Sequence, residues 1–318
     1  MKAKLNNLKG NIILLFTAFV WGIAFVAQNK ASEFVSPFTL NMLRCFIAAI
    51  FLIPFSIILD KIKDKKEHKN EGEKTKDNKK LIKISLVSGL FLFIGITFQQ
   101  FGITIYPPEA AATGRSGFIT ALYVVLVPIL GLFFKNKLRL NVVFSVILSA
   151  VGMYFLCFAA GIDKLYLGDL LVLTSAFGFA LQIMVINKYS KNLNGIKISI
   201  VQFLICGILS MILMFIFETP SFDAIKKAIL PILYLGIISC GIGYTLQIIG
   251  QQYSDNPTID SIIMSFEAVF ATLGGIIILK EKLVINEVIG CILMFIAIVI
   301  SQLPQDILKK KNIEKASK

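Results

Sequence analysis

The sequence is poor in the residues that most often carry out chemistry. Its only histidine, His68, sits in a run of lysines and acids, where a solvated side chain is the ordinary state, and its five cysteines form no CxxC pair. No grouping of His, Cys and carboxylates has the spacing of a metal site, so neither a metal nor a cofactor is expected. Cys45, Cys157, Cys206, Cys240 and Cys291 all fall within apolar runs. A cysteine there behaves as a small hydrophobe, and the odd number argues against a disulfide framework. Gly241-Ile-Gly243 is half of a dinucleotide-binding fingerprint, but inside an apolar run close helix packing is its simpler use. Arginine is scarce as well: three against 29 lysines. An enzyme is poorly supplied by this composition, and the few arginines stand out.

Long apolar runs are what the chain has instead. Hydrophobic residues make up 56% of its 318 positions and the mean hydropathy is +0.80, too apolar for a soluble domain of this length. Ten runs approach the roughly 20 residues a helix needs to cross a bilayer core. They are Asn11 to Gln28, Pro37 to Leu59, Ile82 to Phe101, Ala111 to Phe134, Leu140 to Phe158, Leu167 to Ile186, Ile196 to Phe217, Ala228 to Gly250, Thr258 to Leu279 and Ile285 to Leu303. The first follows Lys2, Lys4 and Lys9 as a signal peptide would, but no A-x-A site follows it, and it is read as a span.

The runs repeat. Lys135-Asn-Lys-Leu-Arg-Leu-Asn141 returns as Lys280-Glu-Lys-Leu-Val-Ile-Asn286, identical at four of seven positions. Setting Gly10 against Gly168 pairs Ala18-Phe19 with Ala176-Phe177, Asn29-Lys30 with Asn187-Lys188, Ser32 with Ser190 and Arg44 with Gln202. Further on, Gly95-x-Thr97-x-Gln99-x-x-Gly102 falls on Gly243-x-Thr245-x-Gln247-x-x-Gly250. Matches this widely spread mark two homologous halves, residues 1–159 and 160–304, followed by a basic tail, 305–318.

The net charge of +13 would suit a nucleic-acid binder, but its placement does not. With the N-terminus cytoplasmic, 24 of the 32 basic residues fall in inside segments: the first ten residues, the connector 60–80 and its flank, Lys135 to Arg139, Lys188 to Lys197, and the tail. That is the positive-inside bias, with both termini in the cytoplasm. The connector 60–80 reads as a solvated, disordered segment. Nucleic acid is not an expected partner; the lipid bilayer of the cell membrane is.

Five spans per half is an odd number, so the second half enters the membrane from the opposite side. The expected fold is an all-α integral membrane protein of ten transmembrane helices in two inverted five-helix repeats. Such repeats place a site near mid-membrane that alternates its access.

Phe19-Val-Trp-Gly-Ile-Ala-Phe25, Thr39 to Ala49 with Arg44 inside it, Ala112 to Pro128, and Phe266-Glu-Ala-Val-Phe-Ala with Lys280-Glu-Lys-Leu resemble the EamA-type members of the drug/metabolite transporter superfamily. The resemblance covers nearly the whole chain apart from tails and connector, with Glu267-Ala268 where the family usually has Glu-Pro. It implies a secondary transporter, often an exporter, of small metabolites such as amino acids.

The polar residues inside spans are the candidate site. Arg44 and Arg115 are costly there and face the bundle interior as a rule; the planar fork of a guanidinium suits a carboxylate. Their plainer uses are an internal ion pair or backbone contact for Arg44 and snorkelling to the outer interface for Arg115. In helix four Thr113, Ser116, Gly117, Thr120 and Tyr123 fall on one side, suiting either a cavity wall or a packing face. Glu267 sits near the centre of helix nine, on the face of Asp260. It is the candidate for proton coupling or for a cationic group, since desolvation favours a neutral carboxyl; a fixed pair with Arg44 is the competing reading. Asp169, Asp260 and Glu287 lie in opening turns and are expected to complement helix dipoles. Trp21, for stacking or packing, and the matched Gln99 and Gln247 complete the set. The expected cavity is lined by helices one to four and six to nine, with five and ten as scaffold or homodimer contact. A membrane enzyme or an assembly protein without transport activity is the alternative.

Overall fold

The computed structural model describes residues 2–64, 71–107, 112–133, 140–158, 166–254, 256–279 and 285–301. His68, both KxKL segments and the basic tail lie outside them. Regular structure among the described residues is entirely helical. The long elements are α1 (Lys2–Ser32), α2 (Pro37–Asp64), α3 (Glu71–Ile105), α4 (Ala112–Phe133), α5 (Leu140–Phe158), α6 (Leu167–Tyr189), α7 (Gly195–Phe217), α8 (Ile229–Gln252), α9 (257–279) and α10 (Ile285–Ser301), with a short helix, Phe222–Lys227, between α7 and α8.

Seven of these, α1 to α4 and α6 to α8, are long and apolar enough to cross a membrane. Two others hold shorter apolar stretches, Leu140–Gly152 and Val288–Ser301, and α9 is divided into Pro257–Met264 and Glu267–Leu279. The expected disordered connector is corrected in its described parts: 60–64 continue α2 and 71–80 open α3. Lysine and glutamate are good helix formers, and extending a helix already nucleated costs little.

The packing carries the repeat into three dimensions. Ser32, ending α1, accepts a hydrogen bond from Gln100 near the end of α3 (2.7 Å), so α1 and α3 run the same way. Gly102, also near the end of α3, meets Gly168 at the start of α6, so these two run oppositely. Hence α6 is antiparallel to α1, its own sequence counterpart. The matched contact pairs Gly10 of α1 with Gly250 of α8; a Cβ on Gly10 or on Gly102 would lie 2.9 Å from the opposing carbonyl oxygen. The same relation puts Trp21 against Gly243 and Phe179 against Gly95, where a Cβ would meet the aromatic ring at 2.8 and 2.6 Å.

Antiparallel α2 and α7 are tied at both ends. Pro37 opens α2, and the Glu218 carboxylate accepts from the backbone N–H groups of Phe38 and Thr39, both at 2.8 Å. This satisfies donors that a helix start leaves unpaired. At the other end Lys197 meets Asp60 at 2.8 Å. Antiparallel α5 and α10 pack together through Gly152, and none of their described side chains lines the cavity described below. Large apolar side chains such as Phe133, Phe215 and Leu230 point outward, an arrangement that water penalises and lipid chains do not.

Candidate functional site

Between the halves lies a recess whose walls bound about 470 Å³ of non-atom space, open solvent at its mouth included. Its walls come from α1, α2, α3, α4, α6, α8 and α9. The expected contribution of α7 is corrected: that helix lends no lining residue, being turned to α2 and α3 instead. Seven of the eight candidate residues, Trp21, Arg44, Gln99, Thr120, Tyr123, Gln247 and Glu267, line the cavity.

Arg44 is 3% exposed. Its Nη1 donates to Gln28 Oε1 at 3.1 Å and its Nη2 to the Ile96 carbonyl at 3.4 Å, while Nε has no partner. Among the described residues no carboxylate lies within the 4.0 Å of an ion pair with it. The competing Arg44–Glu267 pair is therefore not formed; two neutral oxygens hold the guanidinium and leave its charge unmatched.

Glu267, 2% exposed, shares this cavity, and its Oε1 has no hydrogen-bond partner. Its setting corrects the expectation of a continuous helix nine. The chain turns at Ser265–Phe266, and Glu267 is the first residue of the second piece. No Pro or Gly causes the break; Ser261 and Ser265 turn their hydroxyls onto the carbonyls of Thr258 and Ile262, each at 2.8 Å, the kind of side-chain competition that bends helices. The amide end of the new piece favours a negative charge there, opposing the cost of burial. Tyr123, on α4 just past a matching interruption at Leu122, is close enough to Glu267 to interact with it, yet its hydroxyl meets no hydrogen-bond geometry.

The opposite wall is α8, whose Tyr234–Tyr244 stretch is wound as a π-helix, a form frequent at functional sites. The Trp21 indole donates to the Ser239 carbonyl on that stretch at 3.3 Å, and its ring lies 4.6 Å from that of Tyr244. Gln99 and Gln247 occupy matched positions but differ in partner: Gln99 donates to Thr120 at 3.0 Å, and Gln247 exchanges amide bonds with Gln182 at 3.0 and 3.4 Å.

Arg115 is the candidate that the structure removes from the cavity. Its Nε and Nη2 grip the Asp169 carboxylate at 2.5 and 2.6 Å, and its guanidinium lies over the Tyr166 ring at 4.9 Å. Asp169 also accepts from the Tyr106 hydroxyl at 2.7 Å and the Tyr166 N–H at 2.8 Å. Burial and that carboxylate hold the Tyr106 phenol well above its usual range. Asp169 therefore does more than complement a dipole, and Arg115 does not snorkel. Asp260 is likewise buried and bonded from Asn187 at 3.0 Å; Asn29, the sequence match of Asn187, donates to Thr113 at 3.0 Å. Ser116 is buried on the same face as Thr113, outside the cavity lining.

Sequence reasoning missed Gln28, Gln182, Ser239 and Tyr244 on the walls. Gln28 and Gln182 carried a readable signal, as amides within otherwise apolar runs; Ser239 and Tyr244 became lining residues through the π-helical winding, which no residue type announces.

The EamA-like transporter family matches the chain twice, over residues 8–158 and 166–302. An uncharacterized transporter of Archaeoglobus fulgidus is 30% identical over 94% of this chain and 87% of its own length. One from Clostridium kluyveri is 24% identical over 92% and 93%, and YoaV of Bacillus subtilis, also an uncharacterized transporter, is 24% identical over 88% and 92%. A protein of known crystal structure superposes on 93% of this chain and 98% of its own with a TM-score of 0.73 at 18% identity, a likeness of fold.

Proposed function

The chain belongs to the EamA-like transporter family and is a multi-pass membrane transporter, and from that premise we propose that it exports small zwitterionic metabolites, amino acids first among them. All ten helices span the plasma membrane in this reading, with both termini cytoplasmic and the second repeat inverted. Access to the cavity alternates as one bundle rocks against the other. The observation that carries the substrate class is Arg44, a buried guanidinium with no carboxylate partner among the described residues, opening onto a cavity that also holds the incompletely bonded Glu267. A buried charge is costly until paired. A ligand bearing a carboxylate and an ammonium group supplies both partners at once, and Trp21 and Tyr244 offer apolar faces to its side chain.

The break at Ser265–Phe266 favours a second role for Glu267. Discontinuous helices recur at ion-coupling sites of inverted-repeat transporters, and a carboxyl there can carry a proton when no ammonium group is bound. The test is purified protein in liposomes, loaded with a labelled metabolite panel and assayed for efflux with and without a pH gradient. Efflux of amino acids but not of their amides supports the reading. Transport confined to compounds lacking a carboxylate rejects it.

A further inference from the structure

One end of the cavity is crossed by a charged cluster. At the end where α4 and α6 begin, Asp169 collects four hydrogen bonds: two from Arg115, one from the Tyr106 hydroxyl and one from the Tyr166 backbone. The Tyr106 and Tyr166 rings meet edge to face at 6.1 Å. Tyr106 and Arg115 belong to the first repeat, Tyr166 and Asp169 to the second, so the cluster ties one repeat to the other. Arg115 precedes the lining residue Thr120 by five positions and Asp169 precedes Phe179 by ten. At 1.5 Å per residue this sets the cluster about 8–15 Å beyond the cavity wall, towards one face.

The inverted repeat supplies an internal control. Asp169 follows Gly168, whose match is Gly10, so its counterpart is Asn11; Tyr106 follows Gly102, matched with Gly250, so its counterpart is Ser254. Neither counterpart carries a charge, whereas Arg115, in the register that sets Lys135 on Lys280, falls on Asp260. The guanidinium that pairs with a carboxylate across the repeats at one end of the duplicated frame is replaced at the other by a buried carboxylate that Asn187 bonds. The pair's side chains are 12% and 11% exposed. That is dry enough for the bidentate bond to hold, and close enough to the surface for both charges to be rehydrated when the end opens.

We propose that Arg115, Asp169 and Tyr106 form the latch of the outer gate, an ion-paired contact between the repeats that is closed in this structure and breaks each time the cavity opens outward. The latch rests on the alternating-access reading above. Arg115 and Asp169 are positioning residues: they set which face reaches the substrate and do not touch it.

The experiment places a single cysteine on the cavity wall, Ala24→Cys, in an otherwise cysteine-free protein, and follows its reaction with a membrane-impermeant thiol reagent from each face. Arg115→Gln and Asp169→Asn each raise the outer labelling rate about fivefold or more, the usual size of a coupling between sites, and lower the inner rate. The exchange Arg115→Asp with Asp169→Arg returns both rates towards the parent. Inner labelling in the parent with unchanged rates in folded single variants overturns the latch and leaves alternating access standing. No labelling from either face in any variant, with substrate present, overturns alternating access and the latch with it.

Discussion

Arg44→Lys keeps the charge on the cavity wall and removes the fork. A guanidinium has five N–H donors. Gln28 and the Ile96 carbonyl take one each, so three remain, enough to meet both oxygens of a carboxylate. Lysine offers a point charge on a flexible stem, which must choose between the fixed oxygens of α1 and α3 and the ligand. A hydrogen bond to a charged group is worth about 1.5–3 kcal/mol net, and about 1.4 kcal/mol is tenfold in affinity. Losing one such bond weakens substrate binding about 10- to 100-fold. The assay is competition against a labelled amino acid in liposomes by the unlabelled amino acid and by its amide. The parent prefers the acid over the amide by about that factor, and Arg44→Lys loses most of the preference, a coupling that a two-by-two cycle isolates from general damage. An undiminished preference for the acid in Arg44→Lys, at normal protein yield, refutes the assignment of Arg44 to the carboxylate.

Glu267→Gln keeps shape and hydrogen bonding without titration; it is expected to exchange substrate at equal pH while losing pH-driven accumulation, and full accumulation in the variant rejects the coupling role. Cysteines placed at Asn136 and Glu281 are expected to react with impermeant reagents from inside and outside respectively, and labelling from the same side contradicts the inverted arrangement. Gly243→Ala places a Cβ 2.8 Å from the Trp21 indole nitrogen. Overpacking of that kind costs about 1–3 kcal/mol, so melting in detergent is expected to drop, with substrate binding weakened as Trp21 is displaced; an unchanged melting temperature shows that the contact yields freely.

The repeat was legible because it is written in residues whose places are fixed by packing. Gly10, Gly95, Gly102, Gly168, Gly243 and Gly250 sit where another helix or an aromatic ring leaves no room for a side chain, and such positions survive duplication as a pattern of spacing. Seven cavity residues were legible for a related reason: a polar group at mid-span is costly and needs a use. Arg115 satisfied the same criterion and was misassigned, because its partner Asp169 lies 54 residues away on the other repeat and no local pattern joins them. The division of α9 was hidden differently. No residue type announces it: serine is common within apolar spans, and only the structure shows the hydroxyls of Ser261 and Ser265 competing for the backbone just before Glu267. The separation of Arg44 from Glu267 is likewise a property of packing: Gln28 and the α3 backbone reach the guanidinium first.

The most direct measurement is the structure of the protein with a transported amino acid bound. The ligand carboxylate is expected about 2.7–2.9 Å from free donors of Arg44, its ammonium group against Glu267 Oε1, and its side chain between Trp21 and Tyr244. A ligand bound away from Arg44, or one whose carboxylate is held by other groups while Arg44 keeps only its bonds to Gln28 and Ile96, contradicts the account.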